Sequence, residues 1–270
     1  MSGSLQIADR VLDVWGGRLQ LHVKSFGRGR PLVFLHPAGG LNVDPFLVAL
    51  GEHFCVYAPE IPGTSAGDPD AIHQVDTLSD LVLVYEGAIR ALDLPTAPVV
   101  IGASFGGMLA AELASCFPTL FAKVVLLDPI GLWRPELPIA NWMTTPVAQL
   151  PALLFRNPDC AAAKAAFTPP ADPAQLVSMI SGRVWAMACT GKFVWPIPEK
   201  GLRKRLHRIT APTLIVWGED DALVPVGYAH EFGAAIAGSR VEIVANAGHV
   251  PQAEQMETTL ALVRGFLGTA

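Results

Sequence analysis

A single serine in this chain stands between two glycines in a pattern that suits a nucleophile. Residues 101–107 read Ile-Gly-Ala-Ser-Phe-Gly-Gly, and the five residues from Gly102 to Gly106 fit G-x-S-x-G. This pattern is typical of a sharp turn that connects a strand to a helix and exposes the serine hydroxyl at the end of the strand. A Cβ atom at either glycine would crowd so tight a turn, and its strained apex is tolerated where function needs it. The sequence therefore predicts Ser104 as the nucleophile.

The residues on either side of Ser104 have the composition that such a turn requires. Residues 97–101 are an apolar run typical of a buried strand, and residues 105–117 have a small-residue helical pattern. The N–H of Phe105, at the start of that helix, is expected to face a developing negative charge. The alternative is a glycine-rich turn in another α/β fold, either phosphate-binding or merely structural. The nucleophile hypothesis therefore needs a base, an acid and a second oxyanion donor elsewhere in the chain.

A candidate acid and a candidate base follow Ser104 in that order. His249 lies in the glycine-containing loop 246–251, after the last predicted strand. Residues 217–221, Trp-Gly-Glu-Asp-Asp, follow the preceding strand. Both segments are expected at the carboxyl edge of the sheet, where ligands bind in open α/β sheets. One of the three carboxylates is the expected partner of His249, because an acid fixes the histidine tautomer and stabilises its charged form.

The elements that must position these residues alternate between strands and helices along most of the chain. Such alternation predicts a mostly parallel sheet with helices on both faces, preceded here by a hairpin at two glycines. The predicted strands are residues 7–15, 18–24, 31–36, 54–59, 97–101, 123–128, 212–217 and 240–244, and the predicted helices are residues 45–50, 76–92, 105–117, 226–237 and 256–266.

Residues 132–207, hereafter the cap segment, interrupt this alternation. They contain no strand-like run and are rich in proline, tryptophan and methionine, which indicates a helical insertion of several short helices. The prediction is a core of residues 1–131 and 208–270 with an apolar lid over a pocket, although ordinary packing of a helical subdomain would give the same composition. Four cations of the cap segment could meet a substrate carboxylate or simply be solvated: Arg134, Arg156, Arg183 and Lys192.

Composition excludes several other functions. Only 16% of residues are charged, and the net charge of −5 argues against a nucleic-acid partner despite the basic run 203–208. No Cys/His cluster has metal-ligand spacing, and no cofactor is expected. No signal peptide and no membrane span are predicted, and the separated cysteines indicate reduced thiols and a cytoplasmic protein. These cysteines are Cys55, Cys116, Cys160 and Cys189.

The three motifs in this order resemble the α/β-hydrolase superfamily. The resemblance is to its lid-bearing branch of small esterases, cofactor-free haloperoxidases and meta-cleavage-product hydrolases, and it spans residues 32–266. It implies an α/β-hydrolase fold, with a mostly parallel eight-stranded sheet flanked by helices and a helical cap inserted after the sixth strand. It also implies that Ser104 is the nucleophile, that His249 is the base and that Asp221, fifth in its segment, is the acid. Some relatives take the acid from the end of the sixth strand, which makes Asp128 the alternative.

The second oxyanion donor is implied by the same resemblance. Relatives place it in the loop after the third strand, often as His-Gly-x, whereas this chain reads His-Pro-Ala-Gly-Gly from residue 36. Pro37 has no N–H and cannot donate a hydrogen bond. The amide of Ala38 is therefore the expected donor beside that of Phe105, with Gly39 as the alternative.

The function that the resemblance implies is that of a serine hydrolase acting through an acyl-enzyme on a small or medium hydrophobic carboxylic ester. One alternative is a meta-cleavage-product carbon–carbon hydrolase, although those relatives usually carry an aromatic residue where this chain has Val250. A perhydrolase and a slow-turnover ligand sensor on the same fold are further alternatives. The apolar lid could bury a face in a homodimer, but no residue indicates one.

Overall fold

Eight strands form one continuous sheet in the computed structural model, which describes residues 5–65, 68–197 and 199–269. The strands are β1 (Ala8–Val14), β2 (Leu19–Gly27), β3 (Arg30–Leu35), β4 (Phe54–Pro59), β5 (Val99–Ala103), β6 (Lys123–Leu127), β7 (Thr213–Gly218) and β8 (Arg240–Val244). Their order across the sheet is β1-β2-β4-β3-β5-β6-β7-β8. The strands β1 and β2 form an antiparallel hairpin and β2 pairs antiparallel with β4, while all later pairs are parallel. The expected eight-stranded, mostly parallel sheet is confirmed.

Helices cover both faces of this sheet because its central strands are apolar on both sides. In β3, Val33 and Leu35 pack into one core layer, whereas Leu32 and Phe34 pack into the other. The helices are α1 (Pro45–Leu50), α2 (Leu78–Ala91), α3 (Phe105–Cys116), α4 (Leu150–Leu154), α5 (Ala161–Phe167), α6 (Pro173–Val194), α7 (Gly227–Ala235), α8 (Pro251–Glu254) and α9 (Met256–Leu267).

The cap segment leaves the sheet after β6 and returns to it at β7, and its described residues form helices α4 to α6 and short 3₁₀ turns. Two of the three helices are short, as expected, but α6 has 22 residues. It begins at the N-cap Asp172, whose carboxylate accepts from Ala174 N–H, with Pro173 as the first helical residue.

The sequence did not indicate the length of α6 because its apolar residues do not lie on one buried face. Val177, Ile180 and Val184 are 66%, 50% and 61% exposed, while the buried residues lie in the C-terminal half of the helix. The periodic contrast that marks an amphipathic helix is therefore missing. Within the described residues, no helix combines the length and the apolar character that a bilayer crossing requires.

Close backbone contacts fix the turn between β5 and α3. A Cβ atom on Gly102 would lie 2.2 Å from the carbonyl oxygen of Gly106. A Cβ atom on Gly106 would lie 2.0 Å from the carbonyl oxygen of Leu35, at the end of β3. Both glycines are therefore required by packing, because backbone oxygen atoms cannot move aside as the end of a flexible side chain can.

Replacing Gly106 by alanine tests this contact. We expect Gly106→Ala to lower the free energy of unfolding by about 3 kcal/mol or more, because a methyl group forced into a closely packed site displaces the backbone. The matched control is Gly265→Ala in α9, where a Cβ atom meets nothing within 4 Å. That control should gain about 0.5–1 kcal/mol from the higher helix propensity of alanine. Urea unfolding of both variants measures the difference, and equal stabilities would contradict the steric account.

Candidate active site

Ser104 occupies the turn between β5 and α3 in a backbone conformation that few residues adopt. Its φ is 53° and its ψ is −113°, outside the regions that side-chain-bearing residues prefer, which costs about 1–3 kcal/mol. Hydrogen bonds hold this conformation: Ser104 N–H donates to Leu127 O over 2.8 Å, and Ser104 O accepts from the N–H groups of Met108 and Ile130. The half-buried serine is thereby fixed at the carboxyl end of β5.

A continuous chain of hydrogen bonds links Ser104, His249 and Asp221. The Nδ1 atom of His249 lies 2.8 Å from Oδ2 of Asp221, and its Nε2 atom lies 2.9 Å from Oγ of Ser104. Because the carboxylate can only accept, Nδ1 carries the proton of the neutral ring and Nε2 is left to accept from the serine hydroxyl. The structure thus brings together the three side chains that the sequence analysis singled out, in an order that suits proton transfer from the serine to the histidine.

Asp221 is the one carboxylate of its segment that faces His249. Its Oδ1 atom accepts hydrogen bonds from Leu223 N–H and Val224 N–H, both over 2.9 Å, which leaves Oδ2 for the imidazole. The two preceding carboxylates, Glu219 and Asp220, are exposed. Local backbone donors therefore orient Asp221. Aspartate side chains in turns commonly accept hydrogen bonds from neighbouring N–H groups in this way.

Two loops meet at a backbone contact that brings the acid and the histidine together. A Cβ atom on Gly218 would lie 2.0 Å from the carbonyl oxygen of Gly248. Beside it, Asp220 N–H donates to Ala247 O over 2.9 Å. The loop after β7 and the loop after β8 are therefore joined through their main chains, independently of the side chains of the site.

Glu254 is a further residue of this region, and the sequence analysis gave it no role. Its carboxylate accepts from Gly248 N–H over 2.9 Å, next to His249, and from Arg156 N–H and Asn157 N–H over 3.0 and 2.7 Å. One side chain thus anchors both the histidine loop and the cap segment. The available signal was an acidic residue five positions after the candidate base, but its partners in the cap segment lie almost a hundred positions away.

His36 organises the loop that was predicted to hold the second oxyanion donor. Ile61 N–H donates to its Nε2 atom over 3.2 Å, so Nδ1 carries the proton and donates to Pro37 O over 2.8 Å. Burial lowers the pKa of His36 to about 4, so the ring is neutral near pH 7. The Pro37 carbonyl and the Ala38 N–H belong to one peptide group, and His36 therefore orients that amide.

The two amides predicted for the oxyanion hole have no protein acceptor within the described residues. Phe105 is the first residue of α3, where N–H groups lack an intrahelical partner. Ala38 is buried, and its carbonyl oxygen lies 3.4 Å from the hydroxyl of Thr190 in α6. The amide of Gly39 is equally unengaged in the described part of the chain, so the assignment of Ala38 stays a prediction.

Asp128, the alternative acid, lies fully buried at the end of β6 beside the same groups. Single ligand atoms of Asp128, Asp221 and His249 all fall within 4.8 Å of one another. Its Oδ1 atom accepts from Gly218 N–H over 2.8 Å, and it is Asp221 that bonds the imidazole. These three groups are the one set in the described ranges that could ligate a metal ion. However, the Nδ1–H of His249 and both oxygens of Asp221 are already engaged in hydrogen bonds.

A small cavity of about 20 Å³ lies between the cap segment and the residues after β6. It begins one helical turn beyond Ser104, at Met108, and Glu199 and Lys200 are its two charged lining residues. The other lining residues have no polar side chain: Met108, Ile130, Gly131, Leu132, Ile139, Trp142, Val194 and Ile197. The lining of this cavity is suited to apolar contacts and offers few polar partners.

Comparison with known proteins places this architecture and site in a family. Residues 32–262 match the family described as "Alpha/beta hydrolase family". The chain belongs to the alpha/beta hydrolase family.

Two relatives of this chain are themselves named as hydrolases. It is 29% identical to 2-hydroxy-6-oxononadienedioate/2-hydroxy-6-oxononatrienedioate hydrolase of Klebsiella pneumoniae subsp. pneumoniae, over 96% of this chain and 94% of the relative. It is 26% identical to 2-hydroxy-6-oxo-6-phenylhexa-2,4-dienoate hydrolase of Burkholderia cepacia, over 92% and 91%. In fold it is similar to naproxen esterase of Bacillus subtilis, with a TM-score of 0.74, 17% identity, and coverage of 98% of this chain and 92% of that one.

The neutral state of His36 predicts a pH dependence of stability. The unfolded chain protonates this histidine near pH 6.5 and the folded hydrolase only near pH 4, so the unfolded state binds more protons between these values. Stability should therefore rise with pH across this window, with about 3 kcal/mol from His36. We expect His36→Gln to flatten the plot of unfolding free energy against pH, compared with His230→Gln at an exposed position. Parallel plots for the two variants would show that His36 is not held neutral.

The role of Glu254 predicts a combined loss of stability and activity. Glu254→Ala leaves three N–H groups without their acceptor, so we expect a loss of about 1–3 kcal/mol in unfolding free energy. We also expect about a tenfold fall in kcat, because His249 loses the anchor of its loop, a loss of about 1.4 kcal/mol. The control Asp220→Asn removes an exposed ion pair with Arg156 and should cost under about 1 kcal/mol. Equal effects of the two variants on kcat would refute the positioning role.

Proposed function

We propose that this hydrolase cleaves small or medium hydrophobic carboxylic esters through a covalent acyl-enzyme. The observation that carries the proposal is the hydrogen-bonded chain from Asp221 through His249 to Ser104, with distances of 2.8 and 2.9 Å. These distances suit Ser104 as the nucleophile, His249 as the base and Asp221 as the orienting acid of nucleophilic catalysis.

Each side chain has a defined part in the proposed reaction. The Oγ atom of Ser104 attacks the acyl carbon while Nε2 of His249 takes the hydroxyl proton. Asp221 stabilises the imidazolium, and the N–H groups of Phe105 and Ala38 stabilise the oxyanion of the tetrahedral intermediate. His249 then gives the proton to the departing alcohol, which leaves an ester of Ser104 with the acyl group. A water molecule, deprotonated by His249, hydrolyses that ester and restores the enzyme.

The cap segment is proposed to act as a separate lid domain that provides the binding surface. Ile139, Trp142, Val194 and Ile197 of this segment line the cavity opposite Met108 of the core. Apolar atoms of an acyl or alcohol group that pack against these side chains would gain about 25 cal/mol of free energy per Å² of buried apolar area.

The charges of the cap segment support a substrate without a carboxylate group. A buried carboxylate needs a cation or several hydrogen-bond donors to offset its desolvation. Lys200 in the cavity lining donates to Trp195 O over 3.3 Å, and the four cations considered above are also engaged by protein groups. The pairs are Arg134 with Glu231, Arg156 with Asp220, Arg183 with Ala166 O, and Lys192 with Ile72 O and Asp76.

A carbon–carbon bond hydrolase is the second candidate, and the sequence relatives favour it. The relatives from Klebsiella pneumoniae subsp. pneumoniae and Burkholderia cepacia are named for a dienedioate or trienedioate and for a dienoate substrate, which carry carboxylate groups. The same three side chains could serve that reaction. The engaged cations of the cap segment speak against such an anionic substrate and for the ester.

Hydrolysis of p-nitrophenyl esters tests the proposal. We expect turnover of neutral esters that varies with acyl length, since the cap segment limits the space for the acyl group. Ser104→Ala should lower kcat at least about 10⁴-fold, because the nucleophile of a catalytic unit is lost. A p-nitrophenyl ester of a dicarboxylic acid, matched in length to a neutral one, should have a lower kcat/KM, because Lys200 and the four cations named above already have protein partners.

The ester hydrolase and the carbon–carbon bond hydrolase are distinguished by comparing ester turnover with turnover of a meta-cleavage dienol. Rapid loss of the ultraviolet absorbance of a meta-cleavage dienol, with negligible ester turnover by a folded protein, would replace the ester proposal by the carbon–carbon hydrolase. Tight ligand binding without turnover of either substrate class would leave a ligand sensor.

A further inference from the structure

Asp128 is a buried acid for which the proposed reaction has no use. It follows β6, between the strands that lead to Ser104 and to Asp221, and its residue is 0% exposed. Its φ of 43° is uncommon for a residue with a side chain, although aspartate tolerates this region better than most. A charged carboxylate at such a place is costly unless it is compensated.

Hydrogen-bond donors are unequally divided between Asp128 and Asp221. Asp221 receives two backbone N–H groups on Oδ1 and the Nδ1–H of His249 on Oδ2. Asp128 receives the N–H of Gly218 on Oδ1, and within the described residues its buried Oδ2 atom has no donor. Asp221 uses both oxygens as acceptors for three donors, whereas one donor does little to offset the burial of Asp128.

We propose that Asp128 is a positioning residue that holds a proton on Oδ2 and donates it in a hydrogen bond to the carboxylate of Asp221. The two carboxyl groups are neighbours, with an oxygen of each within 4.8 Å of the other. Two carboxyl groups can share such a bond only if one of them is protonated, and the donors around Asp221 assign the proton to Asp128.

The electrostatic surroundings support this arrangement. Burial, and then the negative charge of Asp221, raise the pKa of the Asp128 carboxyl well above its ordinary value, while the Gly218 N–H opposes this shift. The ionisable groups beside Asp128 in the described part of the chain are Asp221 and His249. A protonated Asp128 leaves the imidazole of His249 facing one negative charge instead of two.

The consequence concerns the strength of His249 as a base, and it rests on the proposed function of the triad. A neutral donor withdraws charge from Asp221 and fixes its plane, so the imidazolium is stabilised less than it would be beside two carboxylates. A second negative charge would hold the proton on His249 more tightly and hinder its transfer to the departing alcohol. Asp128 thereby adjusts the proton affinity of His249 through Asp221, without a hydrogen bond of its own to the imidazole.

Replacing Asp128 by asparagine and by alanine tests the proposal. Asp128→Ala removes the donor, and we expect kcat/KM to fall about 10- to 100-fold, as loss of a hydrogen bond to a charged group implies. The acid limb of its pH profile should shift to higher pH, because Asp221 becomes more basic. Asp128→Asn supplies an amide N–H to Asp221 and an oxygen to Gly218 N–H, so it should recover kcat/KM to within a few-fold and restore the acid limb.

The opposite assignment predicts opposite shifts. If Asp128 were ionised, both variants would remove a negative charge and move the acid limb of kcat/KM to lower pH, and asparagine would not rescue activity. That result would overturn the proposal. Asp221→Asn is the reference for loss of the true acid, with an expected fall of about 10⁴-fold.

Infrared difference spectroscopy tests the proton without using activity. The wild-type enzyme should show the carbonyl stretch of a protonated carboxyl group near neutral pH, and this band should be absent from Asp128→Asn but present in Ser104→Ala. Absence of the band from the wild type would overturn the proposal even if esters are hydrolysed. Its presence in a protein that hydrolyses no ester would support the shared proton and refute only the ester function.

Discussion

Backbone segments approach each other around the active site more closely than any side chain permits. Within the serine turn, Gly102 lies against Gly106, and across the site Gly218 lies against Gly248. At each of these contacts a Cβ atom would lie 2.0–2.2 Å from a backbone oxygen. Because main chains meet at these points, side chains that are 145 positions apart, such as Ser104 and His249, come within one hydrogen bond of each other. The chemistry of the site depends on these contacts.

The sequence predicted the parts of the site that short-range sterics specify. The serine turn, the eight strands and the segments that follow β7 and β8 all have local patterns, and the structure brings Ser104, Asp221 and His249 into one hydrogen-bonded chain. The length of α6 had no such pattern because its apolar residues are exposed. The contacts of Asp128 with Gly218 and of Glu254 with the cap segment could not be predicted, since these partners lie about ninety positions away or more and depend on the completed fold.

Few of the buried ionisable groups around the site carry a charge. Burial keeps His36 neutral near pH 7, and the neutral ring links the loop that was predicted to hold the oxyanion donor to Ile61 by a hydrogen bond. On our proposal Asp128 is neutral as well, which leaves Asp221 as the one charged carboxylate in contact with His249. A positive charge that forms on His249 during the reaction then has a single partner, in a region where water screens charges poorly.

The hydrogen bonds of Glu254 have a consequence for protein engineering. The carboxylate joins the backbone of Arg156 and Asn157, in the cap segment, to that of Gly248 beside the histidine. A cap transplanted from another hydrolase would therefore have to reproduce this stretch of backbone as well as the shape of a new pocket. A chimera that lacks it would bind a new substrate over a misplaced histidine, so the point of exchange belongs after residue 157.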